Sequence, residues 1–228
     1  MQVPKIKAAV VAFRDFLTTE GAEALLPVFE TQQNWQTHFN VEAKDSAASF
    51  DAALDSKTNR RHYRRGGYDP KRAMLTLMRW EPDFVREAFR DLFCEERDLE
   101  GRIGRFGFYV NELFNRFRDA RPKDKTPSHY HDDDYNMVSL YLMGQFPEVY
   151  APYATELLQN ICEKLGAKTI PPAADFPRYT KMLTTLRRFL TEDEEVMANY
   201  QKLLREQDYQ GESALLVWMF FKAVGEGE

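Results

Sequence analysis

Apolar side chains recur every three or four residues along nearly the whole chain, whereas apolar–polar alternation over five or more positions is scarcely found. A spacing near 3.6 buries one face of a helix and a spacing of 2 buries one face of a strand, so the pattern confines the chain to an all-α fold. Ile6, Val10, Phe13 and Leu17 mark a first amphipathic helix. Leu99, Ile103, Phe106, Val110, Leu113, Phe114 and Phe117 mark a longer one in the core. That run contains Gly101, Gly104 and Gly107, each of which costs a helix about 1 kcal/mol relative to alanine. Gly104 and Gly107, three apart, predict a close approach by another helix backbone. The expected architecture is an irregular multi-helix bundle of about ten helices, arranged in two lobes.

Capping and breaking residues divide the pattern into elements. Gly21 ends the first helix, and a short second one follows over 22–30. Residues 34–40 read as a loop carrying Trp35, His38 and Phe39, and 46–54 as a helix. Asp69 as N-cap and Pro70 in the first helical position start a helix through Met74, Leu77 and Met78 to Trp80, because proline gives up an N–H that would be unpaired there anyway. Pro82 starts the next, with Val85, Phe89 and Leu92 on its apolar face. Further helices are expected over 131–145, through Leu157, Leu158, Ile161 and Leu165 to a Gly166 cap, and over 180–190, 194–205 and 213–224. Thr191 with the acids at 192–195 reads as a helix start. The stretch 121–127 has two prolines and four charges and nothing to bury, so it reads as a hinge. The expected lobes are 1–120 and 128–228.

A chain of 228 residues, 43% hydrophobic and 14% aromatic, can bury roughly 70% of its unfolded surface, which excludes disorder for most of it. The apolar stretch at 214–221 is much shorter than the ~20 residues of a membrane span. Lys5, Lys7 and Arg14 interrupt the first helix, unlike the apolar core of a secretory signal. Cys94 and Cys162 are too few for a disulfide framework or a thiolate zinc site, and both read as small buried hydrophobes. A cytoplasmic protein without cofactor or membrane partner is expected.

The net charge is -5, yet residues 57–72 hold Lys57, Arg60, Arg61, Arg64, Arg65, Lys71 and Arg72 against Asp69 alone. With His62, Tyr63 and Tyr68 between them, these side chains have the chemistry of a nucleic-acid contact: guanidinium groups for phosphate or guanine edges, rings for stacking. A solvated loop, or pairing with Asp51 and Asp55, fits the same residues. His129, His131 and Asp132, with Asp133 and Asp134, could ligate a divalent metal; the same acids would also favour the positive end of a helix. No phosphate-binding glycine loop, dinucleotide fingerprint or G-x-S-x-G nucleophile frame occurs. The triplets at 42–44 and 55–57 match the tail of a nuclease metal motif but lie on no predicted strand. No catalytic residue is assigned.

A further set of positions forms a familiar order: Asn34-Trp35, Phe39-Asn40, Phe50, Pro70-Lys71-Arg72-Ala73-Met74-Leu75, Glu81-Pro82, Val85-Arg86, Phe89, Leu92-Phe93, Glu95 to Leu99 and Arg102-Ile103. His129-Tyr130, Ser139 to Leu142, Pro147 to Tyr150, Tyr153 and Gln207-Asp208-Tyr209 continue it. Over roughly residues 30 to 220 the chain resembles the helical region that precedes the motor in McrB-like AAA-type ATPases of modification-dependent restriction systems. The resemblance implies a recognition or adaptor module of restriction or phage defence, with an AAA-type motor in the same or a partner chain and a nuclease subunit as partners. It transfers no catalytic residue, and the sequence stops where the motor would begin.

Three readings follow. The first is a non-enzymatic recognition module contacting DNA through Arg60, Arg61, Arg64, Arg65, Lys71 and Arg72. The second is a protein-interaction scaffold docking a motor, nuclease or phage protein through an aromatic surface at Trp35, Tyr150 and Tyr153. The third is a metal-dependent enzyme at His129, His131 and the neighbouring acids.

Overall fold

The computed structural model describes residues 1–56, 69–124 and 135–226, and every regular element among them is a helix. In chain order these are α1 (Val3–Phe16), α2 (Glu20–Glu23), α3 (Pro27–His38), α4 (Ser46–Ala53), α5 (Pro70–Trp80) and α6 (Pro82–Leu92). They continue with α7 (Leu99–Ala120), α8 (Asn136–Gln145), α9 (Thr155–Lys164), α10 (Phe176–Thr191), α11 (Glu194–Leu203) and α12 (Leu215–Glu226). The all-α expectation holds.

Aspartates start five of these helices. The carboxylates of Asp45, Asp69, Asp98, Asp175 and Asp193 accept from the backbone N–H of Ala48, Arg72, Gly101, Arg178 and Val196, at 2.7 to 3.1 Å. Each satisfies an otherwise unpaired donor, an arrangement worth about 1 kcal/mol. Asp69 and Pro70 behave as expected. The start at 191–195 is shifted: Asp193 caps α11, while Thr191 is the last residue of α10.

The chain forms two compact units, one of residues 1–33 with 134–228 and one of residues 34–133. The expected lobe 1–120 is therefore divided, its first 33 residues packing with the C-terminal helices. Phe13 on α1 meets Phe220 on α12 edge to face, with ring centroids 5.4 Å apart. The Arg14 guanidinium binds Asp193 at 2.6 Å, and Asn199 donates to the Arg14 carbonyl at 3.1 Å. These contacts join positions 179 to 207 residues apart in sequence; loop-closure entropy grows only logarithmically with length, so such separation is a weak obstacle. In the expected hinge, 121–124 form a turn after α7 with the Asp124 N–H donating to the Arg121 carbonyl; 125–127 lie outside the described residues.

In the first unit, α8 and α12 are apolar nearly all round. Met137 to Gly144 and Leu215 to Phe221 are buried without interruption, as befits helices enclosed by others. α1, α9 and α10 pack on α12. Gly166, at φ +65°, closes α9, a conformation that suits glycine at a helix C-terminus.

In the second unit, α4 to α7 are amphipathic and close on an aromatic cluster. Trp35 stacks on Phe39 at 4.2 Å, and Phe39, Phe50, Phe89, Phe93 and Phe106 continue the ring contacts. The expected loop at 34–40 is helical through His38. Its Gln, Asn and Thr residues are poor apolar markers, but Trp35 and Phe39 sit one turn apart on one face, and their packing decides the backbone. Two smaller expectations also change. Gly104 is exposed and a Cβ there would meet nothing within 4 Å, so no backbone approaches it. Cys94 lies just beyond α6 and is half-buried, whereas Cys162 is buried as expected.

Candidate functional site

The basic segment enters the described structure at Asp69. Lys71, one residue into α5, turns back to the end of α4: its Nζ donates to the carbonyls of Asp51 at 3.0 Å and Leu54 at 3.2 Å, and pairs with the Asp51 carboxylate at 2.7 Å. The last carbonyls of a helix carry partial negative charge and lack intrahelical partners, so an ammonium there ties two helices together. Lys71 is thus committed to the fold, a correction to its expected nucleic-acid role. Arg72 is exposed, and Arg79, two turns along the same helix, is exposed too. Arg60, Arg61, Arg64 and Arg65 lie outside the described residues. So do His129, His131 and Asp132; among the described residues no group of three or more metal-binding side chains assembles.

The aromatic docking surface is not built as expected. Trp35, Tyr150 and Tyr153 are 2%, 3% and 1% exposed, and Trp35 belongs to the second unit while the two tyrosines belong to the first. Tyr153 is a core residue with satisfied polar atoms. Its hydroxyl accepts from the Asp175 N–H at 2.8 Å, and its own N–H donates to Ser139 Oγ at 3.0 Å. Its neighbour Tyr179 donates to the Pro152 carbonyl at 2.8 Å, and burial pushes that phenol well above its ordinary pKa. Tyrosines this enclosed cannot present a face to a partner.

Among the described residues of the second unit, a further set of arginines on and beside α6 and α7 is ion-paired. Arg86 donates to the Val41 carbonyl at 3.1 Å and pairs with Asp83. Arg90 binds Glu42 through Nε at 2.7 Å and also pairs with Glu87; the guanidinium holds the Glu42 carboxyl below the usual carboxylate range. Arg97 and Arg105 share Asp91, the latter at 2.7 Å. These arginines are engaged by carboxylates on the same unit, which leaves the exposed cations of α5 in a different class.

Beside this ladder a groove of about 560 Å³ is lined by Asp83, Phe84, Glu87, Ala88, Asp91, Arg97 and Tyr109. Sequence reasoning passed over it. The signal was present in the spacing of Asp83, Glu87 and Asp91, four apart and hence on one face of α6, but nothing in that spacing places Tyr109 of α7 opposite. Comparison with family models, curated proteins and solved structures finds no match.

Proposed function

We propose that this chain is a non-catalytic recognition module of a bacterial restriction or phage-defence system, and that its second unit contacts DNA through Arg60, Arg61, Arg64, Arg65 and Arg72 of the basic segment. The observation that carries this reading is the distribution of charge. The second unit has 19 basic and 18 acidic side chains, but outside 57–72 it has 12 basic and 17 acidic, so the basic segment stands out in an otherwise acidic unit. Arg86, Arg90, Arg97 and Arg105 are held by carboxylates, whereas Arg72 and Arg79 extend the basic segment along the exposed side of α5. Cations without a carboxylate partner are those that can exchange counterions for phosphate. The resemblance to McrB-like N-terminal regions supports the same assignment: specificity ahead of a motor, with motor and nuclease as partners.

Fluorescence anisotropy with short duplex and single-stranded DNA, methylated and unmethylated, tests the reading. Micromolar or tighter binding is expected, lost in the Arg60→Ala/Arg61→Ala/Arg64→Ala/Arg65→Ala variant and retained in Lys5→Ala/Lys7→Ala, which changes the first unit. Absence of binding to every probe contradicts direct DNA recognition by this chain.

A further inference from the structure

One phenyl ring of the second unit stands outside its core. Phe108, near the midpoint of α7, is 64% exposed, whereas the other described phenylalanines of this unit are buried or half-buried. Its ring meets Tyr109 with centroids 6.0 Å apart. Gly104, one turn earlier on the same face, is exposed, and nothing lies within 4 Å of where a Cβ would stand, so the ring is uncovered on that side. Apolar area left in water in this way is recovered on association at about 25 cal/mol per Å².

The charges beside this ring repeat about it in a two-fold pattern. Glu100 and Arg118 are 18 residues apart, five turns of a helix, so they share one edge of the exposed face with Phe108 close to halfway between them. Both are exposed, and neither has an ion-pair partner among the described residues; the Arg118 guanidinium rests 5.9 Å from the Phe114 ring of its own helix. On the other edge Arg105 and Glu112 are 7 residues apart, close to two turns, and Phe108 again lies between them. Glu112 is exposed and has no ion-pair partner among the described residues. Arg105 shares the single carboxylate of Asp91 with Arg97, so two guanidiniums face one acid and positive charge remains at that edge.

We infer that this face of α7 is where two copies of the chain associate, antiparallel, about a two-fold axis at Phe108. Glu100 of each copy then faces Arg118 of the other, and Glu112 faces Arg105. Parallel pairing would set like charges together, and charges flanking an apolar seam fix the orientation of paired helices. A ring flanked at equal distances by opposite charges is complementary to itself, as an isologous interface requires. With one exposed ring per copy the contact belongs with the small, transient interfaces. The inference does not rest on the DNA reading.

Sedimentation velocity on the full chain at rising concentration reads the association directly. A dimer that populates below about 1 mM protein is expected. Phe108→Ala should raise its dissociation constant about tenfold or more. Glu100→Lys and Arg118→Glu, each alone, should raise it about tenfold, because the symmetry turns two attractive contacts repulsive at once. Combined in one chain they should restore the wild-type value, since both partners are then reversed. The combined variant carries the helix-end penalty of both substitutions, so its recovery separates association from folding. Glu20→Lys, a charge reversal at an exposed site on the first unit, should change nothing. A monomer throughout, which leaves the face to a different protein, would overturn the inference. So would a dimer indifferent to Phe108→Ala, or a combined variant no tighter than the single ones.

Discussion

The two units reach stability by different routes. The first encloses α8 and α12, helices with little polar surface of their own, inside amphipathic neighbours drawn from both ends of the chain. The second stacks four amphipathic helices around one aromatic cluster and covers their outer faces with arginine–carboxylate pairs. A helix buried all round leaves little freedom to vary, because each side chain contributes to close packing. An amphipathic helix keeps part of its surface available, and among the described residues of the second unit that surface carries the ion-paired arginines of α6 and α7 and the exposed Arg72 and Arg79 of α5. The comparison therefore contrasts a unit constrained by enclosed helices with one whose exposed helix faces carry ordered charge, which is where the proposed recognition would act.

The largest effect should come from breaking the first unit where the chain's two ends meet. Phe13 is 1% exposed and packs on Phe220, so Phe13→Ala is expected to cost about 3–5 kcal/mol by denaturant titration. Native-state hydrogen exchange should then show lost protection in α9 and α12 ahead of α6. Loss in α6 and α7 first would contradict the division of the chain.

A smaller loss is expected in the second unit at Lys71. Removing its ammonium frees the carbonyls of Asp51 and Leu54, and Lys71→Ala should lower stability by about 1–2 kcal/mol, whereas Arg72→Ala should remain within about 0.5 kcal/mol. Equal destabilisation by both would deny the contrast between a structural cation and a free one. Gly104→Ala should move stability the other way, raising it by about 1 kcal/mol, because the added Cβ enters open space on an exposed helix face. A fall in melting temperature there would show a neighbour that close approach requires.

The smallest effect concerns pH. Arg14 holds the Asp193 carboxyl below its ordinary range, chiefly through their hydrogen bond. A carboxylate with a depressed folded-state pKa stabilises the fold above its unfolded pKa and loses that contribution as pH falls through the folded value. The wild-type melting temperature should therefore drop below about pH 4, and Asp193→Asn should flatten that part of the profile.

Much of this architecture is legible from periodicity and capping. Asp69 and Pro70 start α5 where expected, and the apolar series from Leu99 to Phe117 is one helix. What escapes is set by contacts distant in sequence. The polar run around Trp35 hides the continuation of α3, whose only apolar signals are two rings one turn apart. Tyr150 and Tyr153 resemble surface aromatics until partners such as Ser139 and Asp175 satisfy the polar atoms of Tyr153 inside the core. The pairing of α1 with α12 depends on Phe13 meeting Phe220, a choice among many apolar faces that local pattern does not rank. The basic segment is conspicuous in sequence; separating Lys71 from Arg72 within it requires the end of α4, which local spacing does not locate relative to either side chain.

The most direct test of a recognition surface concentrated in the second unit is the salt dependence of duplex DNA affinity. Each phosphate contact contributes about 0.9 to the slope of log affinity against log salt. The wild type should lose affinity steeply with salt, and the Arg60/Arg61/Arg64/Arg65 alanine variant should show a slope shallower by about 3 to 4 with unchanged melting temperature. An equal slope in the two proteins, or DNA affinity insensitive to salt, would contradict the account.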